Sequence, residues 1–295
     1  MNITHSGMTA VIGRPNSGKS TLINKMIGEK AAIVTAKPQT TRRRLCAVLS
    51  RGHVQVVLQD TPGFHKSRTR LGDYMVGVVK RSLDGVDAVL FLVEPVPLPG
   101  DIERELIASC RTQKAPVILL INKIDALPKE DLLAVIDSYR NEMSFKAILP
   151  ISAKTGDGLD ELMELLLTLM PAGQALFPEG QITDQSDDEL LSEVIREKLL
   201  ICLDQEIPHG TAVSIEKLSE RPNGLVDIEA VITCEKESHK GIIIGSKGAM
   251  LKKIGTLCRK ELEDMYSGQV NIRLWVRVRG KWRDNPAQLK NFGYY

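Results

Sequence analysis

Residues 13–20 read GRPNSGKS, a full G-x-x-x-x-G-K-S pattern directly behind the apolar run 8–12 (MTAVI). Few folds accept a strand, a glycine-rich loop and a helix in that order. Gly13 and Gly18 let the backbone wrap until successive N–H groups face one concavity. Lys19 brings a point charge to the outer phosphates of a ligand, and Ser20 offers a hydroxyl to Mg²⁺. The helix opening near Lys19 adds its positive end to the same anion site. This predicts an α/β domain with a phosphorylated ligand at the carboxyl ends of its strands. At this point ATP, GTP and a phosphorylated small molecule satisfy the loop equally.

The base is narrowed further along. The apolar run 117–121 (VILLI) enters Asn122-Lys123-Ile124-Asp125. A carboxylate there accepts two hydrogen bonds from guanine, at N1–H and the 2-amino group. Adenine has neither donor, so Asp125 would be left desolvated and unpaired against it, which gives strong discrimination. Asn122 is expected to tie neighbouring loops together, and the Lys123 stem to lie along the purine. After the run 147–151 comes Ser152-Ala153-Lys154, whose Ala153 N–H is expected to reach the guanine O6.

Between these motifs, the run 54–58 ends in Gln59-Asp60-Thr61-Pro62-Gly63. Asp60 at a strand end suits the Mg²⁺ site. Gly63 is expected to bring its N–H against the γ-phosphate and to swing when that phosphate leaves. The polar segment 37–43 (KPQTTRR) supplies two hydroxyls for the metal, with Thr41 favoured and Thr40 the alternative.

Taken in order, these elements resemble the signature motifs of Ras-like GTPases. The resemblance implies GTP or GDP with Mg²⁺ as ligands, and nucleotide contacts from Asn16, Ser17 and Thr21 beside the residues above. It implies Ser20, Thr41 and Asp60 at the metal, and Lys19, Thr41 and Asn16 in catalysis. One position departs from it. The glutamine that orients the attacking water in Ras-like enzymes is here Phe64, so slow intrinsic hydrolysis is expected. Related GTPases with a hydrophobic residue there use an asparagine at the Asn16 position to hold K⁺, which would supply the positive charge an arginine finger supplies elsewhere.

The 295 residues suggest two domains. No apolar run approaches the length of a membrane span, and the amino terminus lacks a secretory pattern. Cys46, Cys110, Cys202, Cys234 and Cys258 are scattered without metal-binding spacing, which fits a reducing, cytoplasmic setting. The net charge of +2 conceals blocks of +4 over 1–178, −10 over 179–235 and +8 over 236–295. Such polarisation points to a charged partner. Pro178, glycines and polar residues at 173–186, just after Pro171, mark a linker between a GTPase domain at 1–172 and a second domain at 187–295.

The second domain reads as a helix from 187, a hairpin through Pro222-Asn223-Gly224, two helices joined at Gly245-Ser246-Lys247-Gly248, and a closing strand at 270–278. That GxxG and the α-β-β-α-α-β order resemble a type II KH domain, which implies single-stranded RNA in an apolar groove. Ser246 and Lys247 in the loop, with Lys252 and Lys253 on the next helix, extend a positive surface for phosphates. Farther on, Trp275 and Trp282 interleave with Arg277, Arg279, Lys281 and Arg283 ahead of a KNFGYY tail. These aromatics could equally stack on RNA bases or plug a small core.

A hydrophobic-substituted GTPase with a carboxyl-terminal KH domain resembles the Era family of bacterial ribosome-assembly GTPases over essentially the full chain. The resemblance implies a monomer that binds small ribosomal subunits near the 3′ end of their RNA and assists subunit maturation. It also implies peripheral association with the inner membrane, for which the sequence shows no amphipathic anchor. The alternative from another class is a structural RNA-binding factor whose nucleotide domain does not switch.

Overall fold

A computed structural model describes residues 2–35 and 37–294. Tyr295, the last residue of the aromatic tail, lies outside the described residues. The chain divides into two compact units, the first spanning 1–184 apart from 69–71 and the second containing 185–295.

In the first unit the strands are β1 (His5–Gly13), β2 (Leu45–Arg51), β3 (Val54–Asp60), β4 (Ala88–Val93), β5 (Val117–Ile121) and β6 (Ala147–Pro150). The sheet order is β2-β3-β1-β4-β5-β6, and every pairing is parallel except β2 with β3. The helices are α1 (Lys19–Ile27), α2 (Arg70–Arg81), α3 (Asp101–Arg111), α4 (Lys129–Arg140) and α5 (Leu159–Leu169). Strand residues alternate between two apolar layers, as the pleat requires. Ala88, Leu90 and Leu92 pack with Leu22 and Ile23 of α1 and Leu162 and Leu166 of α5. Val89, Phe91 and Val93 pack with Leu106 and Ile107 of α3 and Val135 and Tyr139 of α4. A sheet covered on both faces places its ligand loops at the strand ends.

Part of the segment expected as a linker, 173–186, is held against the first sheet. Gln55, 1% exposed on β3, accepts the Leu176 and Phe177 N–H groups at 2.8 and 2.9 Å and donates to the Phe177 carbonyl at 3.0 Å. Val48 donates to the Ile182 carbonyl at 2.9 Å, and Asp184 donates to the Cys46 carbonyl at 3.1 Å. Residues 182–184 therefore pair with the open edge of β2, where backbone groups would otherwise lack partners within the sheet.

The second unit starts with α6 (Asp187–Cys202), opened by a capping box between Ser186 and Glu189. It continues through β7 (Ala212–Glu220), β8 (Val226–Cys234), α7 (Glu237–Ile244), α8 (Ala249–Tyr266), β9 (Val270–Val278) and α9 (Pro286–Asn291). The sheet runs β7-β8-β9, antiparallel then parallel. Leu191, Val194 and Ile195 of α6, Ile243 of α7 and Ile254, Cys258 and Leu262 of α8 share one core with Ile228, Ala230 and Ile232. All three helices thus lie on one face of this sheet. Among the described residues no helix is long and apolar enough to cross a membrane.

Candidate nucleotide site and RNA groove

The loop after β1 turns back over the start of α1. Gly18 has φ 101°, and a Cβ there would lie 2.2 Å from Asn122 Nδ2. Only glycine allows that approach. Asn122 uses it to bridge three loops: Nδ2 donates to the Ser17 carbonyl at 2.8 Å, and Oδ1 accepts the Ala153 N–H at 2.9 Å. The Ala153 N–H, expected to reach the guanine O6, donates here to Asn122 Oδ1, and Ala153 is 3% exposed. Ala153 holds the loop shape here.

Lys19 is buried and donates to the Gly13 and Arg14 carbonyls at 3.1 and 2.9 Å. Burial pushes its pKa down to about 8, against the opposing pull of the Asp60 carboxylate. Burial pushes Asp60 the other way, upward, while Lys19 and two hydroxyls favour its charged form. Those hydroxyls are the expected ones. Ser20 Oγ donates to Asp60 Oδ2 at 2.8 Å, Thr41 Oγ1 donates to the same oxygen at 2.9 Å, and the two hydroxyls lie 3.1 Å apart. Thr40 instead donates to the Lys37 carbonyl at 2.8 Å and contacts Thr35 Oγ1 at 2.9 Å.

Asp60 Oδ1 is buried with no hydrogen-bond partner. An orphaned carboxylate oxygen beside two hydroxyls is a hard, all-oxygen donor set, and it fits Mg²⁺. When bound, that ion would neutralise charge developing on phosphate oxygens. Asn16, Gly18, Lys19, Ser20, Thr21 and Thr41 line one cavity of about 460 Å³. Asn16 is exposed in it at φ 63°. Gly63 reaches the same cavity, and a Cβ on it would stand 2.5 Å from the Pro15 Cα. Phe64 is 2% exposed in the apolar layer with Ile12 and Phe91, so its side chain cannot hold a water.

On the base side, Ser152 Oγ donates to Asp125 Oδ1 at 2.7 Å, which aims an otherwise exposed carboxylate. Lys154 is exposed beside it. Lys123, at φ 68°, pairs through Nζ with Glu94 at the end of β4. Glu94 lines the cavity too and carried no sequence signal, because it belongs to no motif.

In the second unit, α7 ends at Gly245 and α8 opens at Gly248, with Ser246 and Lys247 exposed between them. A cavity of about 810 Å³ runs between α8 and β9, lined by Gly248, Leu251, Lys252, Gly255, Ile272 and Leu274. Arg259, one heptad after Lys252, extends the lining, whereas Lys253 is exposed outside it. The two tryptophans part company. Trp282 is fully buried, edge-on to Phe292 at 5.2 Å and stacked on Tyr294 at 6.2 Å, with Nε1 donating to the Gly210 carbonyl at 2.9 Å. Trp275 is 45% exposed.

Known proteins agree with this geometry. The model of the 50S ribosome-binding GTPase family matches residues 8–123, and that of the KH domain matches 206–283. The chain is 47% identical over 289 residues to GTPase Era of Ruminiclostridium cellulolyticum, covering 98% of this chain and 97% of that one. It is 45% identical over 291 residues to GTPase Era of Clostridioides difficile, covering 98% of each. Among solved structures it is similar to Era in complex with MgGDPNP and nucleotides 1506–1542 of 16S ribosomal RNA, at 36% identity, TM-score 0.95 and 99% of each chain. It is likewise similar to a variant of Aquifex aeolicus Era bound to GDP and AlF4⁻, at 36% identity, TM-score 0.92, and 98% and 99% of the two chains. Near-complete coverage at this identity places both units within one lineage, and the chain belongs to the Era family of GTPases.

Proposed function

We propose that this protein binds GTP and Mg²⁺ in its first unit and hydrolyses the nucleotide slowly alone. Its second unit holds single-stranded RNA from the 3′ end of the small-subunit ribosomal RNA during subunit assembly. The observation that carries the reading is the meeting of Ser20, Thr41 and Asp60 around the unpaired Asp60 Oδ1. Lys19 meets the outer phosphates, Asn16, Ser17 and Thr21 complete the loop around them, and Gly63 senses the γ-phosphate. Asp125, aimed by Ser152, reads guanine beside Lys123 and Lys154. Asn122 and Ala153 keep the base loops in register with the phosphate loop.

In the second unit, Gly245, Ser246, Lys247 and Gly248 clamp the sugar–phosphate backbone, and the groove between α8 and β9 takes about four bases. Lys252 meets phosphates at the groove and Lys253 adds to the field around it. The 16S ribosomal RNA bound by the similar Era structure supports this choice of RNA. Work on the ribosome implies a cytoplasmic location, and the protein acts there as a monomer in this reading. K⁺ held by Asn16 supplies the positive charge that an arginine finger supplies elsewhere, so turnover in K⁺ exceeds turnover in Na⁺; equal rates would remove the cation from the reading.

The test is GTP turnover with and without small ribosomal subunits. Subunits should stimulate the wild type, and Lys247→Ala should abolish the stimulation while leaving basal turnover intact. Asp125→Asn should move preference from guanosine to xanthosine triphosphate, because the amide donates to a C2 carbonyl. No turnover under any of these conditions would favour the non-switching structural factor.

A further inference from the structure

Strand β9 has two faces with different chemistry. Ile272, Leu274, Val276 and Val278 pack into the core of the second unit beneath its helices. The alternate residues Arg273, Trp275 and Arg277 therefore project from the opposite face, and all three are exposed. The register sets Glu229 beside Arg273 and Val231 beside Trp275. On this face Trp275 is 45% exposed, whereas Thr233, the partner of Arg277, is buried.

The charges on it do not cancel. Asp227 is bound by Arg221, at 2.8 Å from Nη2, and by Asn271 Nδ2 at 2.6 Å. Glu229 lies 3.6 Å from Arg273. Both acids are thus already engaged; Glu216 of β7, which accepts from Ser214 Oγ at 3.2 Å in the row of Val231 and Trp275, adds a third acid, offset in sign by Lys217 beside Glu229. Among the described residues Arg277 and the following Arg279 form no ion pair. The surplus is positive and flanks a tryptophan that lies beside Val231. An indole face between guanidinium groups suits a nucleobase with its phosphates better than an acidic peptide, which has no π-face to stack.

The same strand also lines the groove through Ile272 and Leu274. A strand leaving the groove around the open edge of β9 arrives at Trp275 within one residue of the groove lining. We propose that the exposed row of β9 centred on Trp275, between Arg273 and Arg277, is a second RNA-contact surface. It takes nucleotides flanking those held in the groove, with one base stacked on the indole and phosphates on the arginines. This rests on the reading of the groove as an RNA site.

The test uses the full chain and single strands copying the 3′ end of 16S ribosomal RNA, one of about four nucleotides, the length a KH groove clamps, and one about three times longer. Trp275→Ala should weaken the longer strand by about tenfold and leave the shorter unchanged, the scale expected for one lost base stack. Trp275→Phe should keep affinity for the longer strand within about threefold, since a smaller ring still stacks. Trp282 is buried, so quenching of tryptophan fluorescence by the longer strand should come from Trp275 and vanish in Trp275→Phe. Arg277→Gln should lower the salt slope for the longer strand by about one. Unchanged affinity of Trp275→Ala for the longer strand, or equal loss on both lengths, would overturn the proposal and leave the face to a protein partner or to no partner. If the shorter strand fails to bind the wild type while the longer one still depends on Trp275, the groove reading falls and this surface stands. If Trp275→Ala does not fold, the wild-type quench and the Arg277→Gln slope decide; absence of both overturns the proposal.

Discussion

Thr41 Oγ1 donates to Asp60 Oδ2 at 2.9 Å, joining a loop residue to a strand end nineteen positions away. The neighbouring Thr40 turns inward on its own loop, to the Lys37 carbonyl. Two adjacent hydroxyls with the same local chemistry are thereby given different work. Thr41→Ala should raise the Mg²⁺ concentration needed for GTP turnover by roughly tenfold or more, the scale of a hydrogen bond to a charged group. Thr40→Ala should shift it by less than about threefold. A Mg²⁺ titration of turnover in the two variants separates them, and the reverse ranking would move the metal contact to Thr40.

Asn122 supports the site from behind. Asn122→Ala removes the partners of the Ser17 carbonyl and the Ala153 N–H, both buried. Each orphaned group costs about 1–3 kcal/mol, so the variant should lose about 2–6 kcal/mol of stability before any nucleotide is added. Urea unfolding without ligand measures this; a loss confined to nucleotide affinity would show that the bridge forms only in the bound state.

Gly63 stands where a side chain cannot. A Cβ would come within 2.6 Å of the Pro15 backbone nitrogen, so either the phosphate loop or the segment after β3 must shift. Gly63→Ala should depress GTP turnover by at least about tenfold, since small misplacements near transferring phosphates are costly. GDP affinity should change less, because GDP lacks the γ-phosphate that Gly63 approaches. Turnover close to wild type would mean that the segment relaxes freely.

Lys19 predicts a proton signature. Its pKa falls from 10.5 to about 8 in the ligand-free fold, because burial disfavours the ammonium. Between those values the unfolded chain holds the extra proton, so this group's contribution to stability rises with pH across that window. Triphosphate binding restores the charge. GTP binding should therefore take up close to one proton at about pH 9 and almost none at about pH 7. Calorimetry in buffers of different ionisation enthalpy measures the uptake; none at the higher pH would place the Lys19 pKa well above the window.

The two tryptophans predict unequal stability losses. Trp282 is fully buried against Phe292 and Tyr294, so Trp282→Ala should destabilise the second unit by about 3–5 kcal/mol. Trp275→Ala, at a half-exposed position, should cost less than about 1 kcal/mol. Unfolding followed by circular dichroism distinguishes them.

Much of this was legible residue by residue. The phosphate loop, the Asn122–Asp125 motif and the glycine-bounded turn before α8 are short runs whose chemistry depends on local order. The alternation that marks β8 survives because one of its faces is less covered than the other. Other elements left weaker traces. The residues of β2 are buried on both sides over Leu45–Val48, so no period-two pattern announces a strand that pairs antiparallel. Pro178 and the glycines at 173–184 read as a linker, yet Gln55 and the edge of β2 bind that segment to the first unit. Glu94 meets Lys123 only because β4 and β5 are neighbours in the sheet.

The sequence by itself determined which chemistries the chain carries: a strand–loop–helix cradle for phosphates, a carboxylate suited to guanine, Phe64 in place of a water-positioning glutamine, and a glycine-bounded turn between helices. Each is written in residues close enough along the chain for backbone geometry alone to bring them together. Only the tertiary structure decided that Thr41 rather than Thr40 meets Asp60, that Asn122 claims the Ala153 N–H, and that Trp282 is buried while Trp275 is not. Those outcomes depend on where distant segments meet and which groups lose water there, and the phosphate loop acquires its partners by the same route.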